Sequence, residues 1–132
     1  MELQEAIELC LSLPMVAETT PFGPEVLVYK VSGKMFATAG LEGEVGRMNL
    51  KCNPERALRL REEWEAIEPG YHMNKKHWNT VIFDGSLPRT LLEELIVHSY
   101  DLVIAGMPKK LRETIPPLPS DFSHCGRWQG EI

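Results

Sequence analysis

Three strand-like runs joined by very short turns constrain this chain more than anything else in it. Residues 26–31 are β-branched and aromatic and end at Ser32-Gly33; residues 34–39 follow and end in a turn at 40–43; residues 44–51 form the third run. Parallel neighbours need a crossover of a dozen or more residues, so connections this short join antiparallel strands. The chain is committed to an antiparallel meander, and the remaining segments must cover it.

The flanks supply helices. Leu3, Ala6, Ile7, Cys10 and Leu11 recur at helical spacing over residues 2–13, Glu2, Glu5 and Glu8 fall elsewhere, and Pro14 ends the run. Thr19-Thr20-Pro21-Phe22-Gly23-Pro24 is a loop, because two prolines and a glycine deny it regular structure. Asn53-Pro54 opens a second helix, asparagine being a strong N-cap and proline being favoured at the first helical position. Ala57, Leu60, Trp64 and Ile67 form its expected buried stripe, with Glu55, Arg56, Arg59, Glu62 and Glu63 on the wet side and Pro69-Gly70 at its end. A fourth strand is expected over residues 78–83, then a turn at Asp84-Gly85. A third helix is expected over 88–105, with Leu91, Leu92, Leu95, Ile96, Ser99, Tyr100 and Val103 on its apolar face. The expected order is α-β-β-β-α-β-α, and the fold class is α+β: two layers, one antiparallel sheet with helices packed on one face. All or part of the opposite face is then left for partners.

A chain of 132 residues fits one domain and buries a core without disulfides or metal. No run approaches 18 apolar residues, so no membrane span is expected, and an N-terminus with Glu2 and Glu5 does not read as a signal peptide. Cys10, Cys52 and Cys125 are odd in number and far apart, which fits reduced thiols in a cytoplasm. The net charge of −5 counts against a broad nucleic-acid surface. Residues 26–52, however, carry four bases against two acids, and residues 71–88 two against one. Charges more than about 8–10 Å apart are largely screened in physiological salt, so a local positive face is compatible with an acidic total.

The segment Tyr71-His72-Met73-Asn74-Lys75-Lys76-His77-Trp78 concentrates cations and aromatics in a loop that runs straight into a strand. Polar, aromatic loops held between rigid elements are where small domains place binding sites. Lys75 and Lys76 suit a phosphate backbone, and an indole face supplies about 1–3 kcal/mol per stacked base. The bland reading makes Trp78 a core residue with solvated lysines around it. Lys51, before the Asn53 cap, reads either as a third cation beside the loop or as an ordinary edge lysine. Phe22 reads either as a ligand-stacking aromatic or as a staple fastening its loop to the core. His72 and His77 lack metal-ligand spacing, so neither metal nor cofactor is expected. Cys10 lies on an apolar helix face. Cys52 borders a helix N-terminus, which can lower a thiol pKa, but no histidine partner is placed by sequence and no nucleophile elbow or P-loop appears. Enzymatic activity is not expected.

With these elements placed, the chain resembles the MmcQ/YjbR family of small bacterial proteins. The matching residues are Pro21-Phe22-Gly23, Lys34-Met35-Phe36, Leu50-Lys51-Cys52-Asn53-Pro54-Glu55, the run from Tyr71 to Val81, and Ser99-Tyr100-Asp101-Leu102-Val103. The resemblance covers about residues 1–113 and leaves 114–132, rich in proline, as an irregular tail. It implies a CyaY-like fold and the family's label of DNA-binding proteins, which rests chiefly on structural analogy. Three functions from different classes follow. The first is a non-enzymatic module binding DNA through Lys51, Lys75, Lys76 and His77, with Trp78, Tyr71 and Phe22 as aromatic neighbours. The second is a domain using the same loop as a pocket for an anionic small molecule, with Asn74, His77 and Lys51 as polar contacts. The third is a protein-interaction adaptor using the acidic first helix or the tail aromatics Phe122 and Trp128. The oligomeric state is open.

Overall fold

In a computed structural model of the chain, which describes residues 1–42 and 44–118, ten elements follow one another. They are α1 (Leu3–Ser12), β1 (Val16–Thr19), β2 (Val26–Val31), β3 (Lys34–Glu42), β4 (Val45–Lys51), α2 (Pro54–Glu63), β5 (Ile67–Pro69), β6 (Trp78–Phe83), α3 (Arg89–Ala105) and α4 (Lys109–Arg112). The strands form one six-stranded sheet in the order β1-β2-β3-β4-β6-β5, and every pairing is antiparallel. The expected α+β class with one helix-covered sheet is what the chain adopts.

The meander forms for the reason its turns suggest. Ser32 and Gly33 both take positive φ (47° and 86°), the geometry of a two-residue turn whose twist matches that of the flanking strands, and Val31 pairs with Lys34 across it. β3 continues past the expected turn to Glu42, which pairs with Val45. Asn53 caps α2 as expected, its side-chain oxygen accepting the Glu55 and Arg56 N–H groups at 3.1 Å each.

The element order differs from the expected one in three places. β1 is an additional strand, but its residues follow a burial pattern with no alternation, so nothing local announces it. β5 stands where the sequence pattern predicts the end of α2. Instead α2 stops at Glu63, Trp64 is extended (φ −130°, ψ 119°), and Ile67 pairs with Val81. Arg56, assigned to the wet side of α2, is only 8% exposed and is ion-paired with Glu94 of α3. At the other end α4 is an additional short helix, and Leu111, Ile115 and Leu118 pack against the core. Residues 119–132, including Phe122, His124, Cys125 and Trp128, lie outside the described residues.

The core lies between the sheet and α1, α2 and α3. Tyr29, Ala37, Met48, Leu50, Val81 and Ile67 come from the sheet; Ala6 and Cys10 from α1, Ala57 and Leu60 from α2, and Leu92, Ile96 and Tyr100 from α3 meet them. Tyr100 stands edge-on to Phe36 with ring centroids 5.5 Å apart, and its hydroxyl donates to the Pro14 carbonyl at 2.8 Å. Ser99 does something more specific. At the irregularity in the β2–β3 register around Phe36, its hydroxyl accepts the Lys51 N–H at 2.8 Å and donates to the Phe36 carbonyl at 2.5 Å. A helix side chain thus stands in for a ladder hydrogen bond between β3 and β4.

Candidate functional site: a cleft on the helix-free face of the sheet

In a paired sheet each rung sends one side chain per strand to the same face. On the face away from the helices one rung reads Thr19, Val28, Thr38, Asn49, Thr80, Glu68. The next reads Val26, Gly40, Arg47, Ile82, and on the far side of the first Lys51 stands opposite Trp78. This face is not bare. Val28 is 1% exposed and Thr80 2%, a depth that requires a cover.

The cover comes from loops. His72 takes a left-handed conformation (φ 57°), which few non-glycine residues adopt, and the chain at 71–73 lies back over the sheet. Three hydrogen bonds hold it there. The Tyr71 N–H donates to Thr80 Oγ1 at 2.9 Å, Thr80 Oγ1 donates to Asn49 Oδ1 at 2.6 Å, and Asn49 Nδ2 donates to the Tyr71 carbonyl at 3.3 Å. The Tyr71 ring leans on the His72 imidazole with centroids 4.0 Å apart. The loop between β1 and β2 contributes Phe22, next to Gly23 at φ 104°.

Between these two loops lies a cleft of about 680 Å³. Val26, Gly40 and Arg47 form its floor with Thr38 and Asn49; Phe22 forms one wall, and Tyr71, His72 and Met73 the other. Phe22 is 72% exposed and Tyr71 61%, so both rims present aromatic surface to solvent. Gly40 keeps the floor low, since it stands between Val26 and Arg47 and carries no side chain. Arg47 Nη1 lies 3.8 Å from Glu68 Oε2, an ionic contact longer than a hydrogen bond. A second, more polar groove of about 490 Å³ between α2 and the start of α3 contains the Arg56–Glu94 ion pair.

The structure places the residues singled out from sequence in two groups. Phe22 and Tyr71 both line the cleft. Lys51, Asn74, Lys75, Lys76, His77 and Trp78 do not line it. Lys75 Nζ donates to the Gly70 carbonyl at 2.9 Å, closing its own loop. The Arg61 guanidinium holds the Lys75 carbonyl, the Trp78 carbonyl at 3.3 Å and Asn79 Oδ1 at 2.7 Å. Asn74 accepts the Lys76 N–H at 2.9 Å through Oδ1 and the Trp78 N–H at 2.9 Å through its carbonyl. The His77 carbonyl accepts the Cys52 N–H at 2.8 Å. Trp78 is half-buried, and a Cβ at Gly70 would stand 2.8 Å from its Cβ, so only glycine passes there. Lys76 is exposed, and Lys51 stands at the rung beside Trp78. Sequence reasoning missed Arg47, Asn49, Thr80, Gly40 and His72. The alternation Arg47, Asn49, Lys51 on a central strand was the available signal, because polar residues repeating along one face of a central strand need partners of their own.

The two cysteines among the described residues, Cys10 and Cys52, are both buried. Burial pushes Cys10 up to about 12 and Cys52 up to about 11, the latter despite nearby Arg56 and Arg61. Among the described residues no group of three or more His, Cys, Asp or Glu is arranged to hold a metal ion, and no helix is long and apolar enough to cross a membrane.

Fold and site together define a class: a two-layer α+β domain whose sheet is covered by helices on one side and by two loops enclosing a cleft on the other. The YjbR family model matches residues 11–102, and the chain belongs to the YjbR family. It is similar to Uncharacterized protein YbdF of Escherichia coli O157:H7, 39% identical over 114 residues that cover 86% of this chain and 93% of the relative. It is also similar to Uncharacterized protein YjbR of Escherichia coli K12, 29% identical over 118 residues, 89% of this chain and 100% of the relative. Among solved structures, Deinococcus radiodurans protein DR2400, a DUF419 domain, superimposes with a TM-score of 0.83 at 38% identity over 96% of both chains. A Pseudomonas syringae crystal structure superimposes with a TM-score of 0.69 at 30% identity, covering 78% of this chain and 99% of the other. The family expected from sequence is the family found.

Proposed function

We propose that this domain takes a small organic molecule into the cleft between Phe22 and Tyr71 and binds it without covalent chemistry. The observation that carries this reading is the cleft itself. Its volume of about 680 Å³ falls within the range of small-molecule sites, roughly 300–1,000 Å³. Its walls are mainly apolar and aromatic, and a few polar groups converge on it from a rigid sheet. Among the described residues, Cys10 and Cys52 are held protonated by burial and supply no thiolate nucleophile, which favours binding over catalysis.

A neutral fluorescent probe, N-phenyl-1-naphthylamine, tests this. Saturable fluorescence enhancement is expected for the native chain. Gly40→Val raises a branched side chain from the floor, where a Cβ just clears the Glu25 carbonyl at 3.4 Å. It is expected to abolish the enhancement while the melting temperature holds. Absence of saturable binding, or binding unaffected by Gly40→Val, overturns the proposal.

The DNA reading stands second. The exposed Lys76 and the Lys51–Trp78 rung favour it. The commitment of the Lys75 amine to the Gly70 carbonyl and the net charge of −5 weigh against it. Saturable binding of a DNA duplex at low salt, with a salt slope reduced by about 2 in a Lys51→Ala, Lys76→Ala double variant, would put it first.

A further inference from the structure

We infer that the cleft selects a flat, largely apolar molecule carrying one carbonyl, whose oxygen is held at the floor by Thr38 and Asn49. This rests on the small-molecule reading above and gives that molecule a chemical class. The polar groups of the floor are in unequal states. Thr80 Oγ1 accepts the Tyr71 N–H, so its one hydrogen goes to Asn49 Oδ1. That fixes the orientation of the Asn49 amide. Its Nδ2 gives one hydrogen to the Tyr71 carbonyl and has a second. Thr38 is the contrast. It lies on the same rung, between Val28 and Asn49, and is only 8% exposed, yet its hydroxyl has no hydrogen-bond partner among the described residues.

A hydroxyl this deep without a partner works against the fold, and such groups are uncommon in native interiors. The rung explains why the fold supplies none. Val28 has no polar side-chain atom, and the Asn49 oxygen is engaged by Thr80. Gly40, two residues further along β3 and on the same face, has no side chain to close over Thr38. Thr38, Gly40 and Asn49 all line the cleft. Residues directly opposite on adjacent strands have Cβ atoms roughly 5 Å apart, so the Thr38 hydroxyl and the second Asn49 Nδ2 hydrogen are neighbouring donors. A carbonyl oxygen has two lone pairs and accepts from both. A guest with no acceptor there would leave both donors dry. The rest of the lining suits a planar apolar body: Phe22 and Tyr71 contribute ring surface, and Met35 and Met73 contribute thioethers that adapt to aromatic edges.

Methionine methyl NMR separates this inference from the reading beneath it. The chain labelled at its methionine methyls is titrated with 2-acetylnaphthalene and with 2-isopropenylnaphthalene, in which a methylene replaces the carbonyl oxygen at nearly the same shape. Both are expected to shift Met35 and Met73 while Met1, Met15 and Met107 stay still. The ketone is expected to bind about tenfold more tightly, the scale of one or two net hydrogen bonds. Thr38→Val exchanges the hydroxyl for a methyl. It should cut the ketone's advantage to about threefold or less, leave the hydrocarbon's affinity unchanged, and hold or raise the melting temperature. Thr38→Ser, which keeps the hydroxyl, should keep the tenfold preference. Equal affinities for the two ligands in the native chain, or a ketone preference that Thr38→Val leaves intact, would overturn the carbonyl inference while leaving the cleft a binding site. A clear drop in melting temperature in Thr38→Val would overturn it too, because the hydroxyl would then serve the fold. If neither ligand shifts Met35 or Met73, the small-molecule reading falls and this inference with it.

Discussion

The two faces of β4 show how one strand meets two solutions to the same problem. Toward the helices it presents Gly46, Met48 and Leu50, all buried, and the space above them is filled by Leu3 of α1 and the apolar side of α3. Toward the other side it presents Arg47, Asn49 and Lys51, each partly exposed. The first face is sealed by side chains meeting at van der Waals distance. The second is covered by a loop held on three hydrogen bonds, which fixes the backbone of Tyr71 and leaves a void beside it. Packed apolar layers leave little room for a guest. A polar strut can hold a wall upright over open space. The difference teaches why the larger of the two cavities described lies where the sheet is covered by loops rather than helices.

The sharpest way to break that contrast is to damage the sealed face. Ser99 is fully buried and serves both the Lys51 N–H and the Phe36 carbonyl. Ser99→Ala leaves one donor and one acceptor buried without their partner, a loss of about 3 kcal/mol at 1–3 kcal/mol for each group. Denaturant unfolding should show the midpoint falling with the slope unchanged. Binding of the neutral probe, scaled to the folded fraction, should stay as in the native chain. A loss below about 1 kcal/mol would mean that the hydroxyl is no structural substitute for the ladder bond.

Acid sharpens the same contrast with a smaller effect. His98 of α3 accepts the Asn53 N–H on Nε2 at 3.2 Å, so it is held neutral. Burial, and then the Arg56 charge, push its pKa from 6.5 down to about 4. Between those values the unfolded chain binds the proton and the folded chain does not. The stability from neutral His98 is therefore complete above pH 6.5 and is lost as pH falls toward about 4. Each unit is worth about 1.4 kcal/mol, and a loss on the order of 2 kcal/mol is expected by pH 4.5. Glu5 and Asp84, with carboxyls held below their ordinary 4.5 and 3.8, release their contributions only at lower pH, so the window between 6.5 and 4.5 belongs to His98. His98→Gln keeps an acceptor for Asn53 and removes the titration. Its melting temperature should be flat across that window; a slope equal to that of the native chain would assign the effect elsewhere.

The sealed face was largely legible in the sequence, and the cleft was not. Turn chemistry at Ser32-Gly33 and the capping pair Asn53-Pro54 are local signals, and they placed the meander and α2. Ile67 misled because it follows Ala57, Leu60 and Trp64 at helical spacing while also suiting a three-residue strand; its pairing with Val81, contacts made in space, decided the matter. Arg56 looked solvent-facing because its partner Glu94 lies 38 residues along the chain. Phe22 and Tyr71 were found by composition, but the floor was not. Gly40 read as the start of a turn, and Arg47 as one base among several. Only the register across four strands places Val26, Gly40, Arg47 and Ile82 on one rung. Lys75 stood out by its charge, yet where its amine goes depends on a carbonyl five residues back in a loop whose path no local pattern specifies.

The smallest effect on stability tests the hydrogen-bonded wall most directly. Thr80→Val keeps the shape of the side chain and removes the oxygen that accepts the Tyr71 N–H and donates to Asn49. The cost should be about 1 kcal/mol, because the loop lies near water and part of what it loses is recovered there. The local consequence should be larger than the global one. Amide hydrogen exchange at Tyr71 should accelerate by an order of magnitude or more while Val81, paired in β6 and facing the helices, exchanges as before. Affinity for the neutral probe should fall with it, since Tyr71 and Met73 form the wall that Thr80 braces. If exchange at Tyr71 rises and probe affinity does not change, that wall is not what encloses the guest, and the loop holding Phe22 must do so alone.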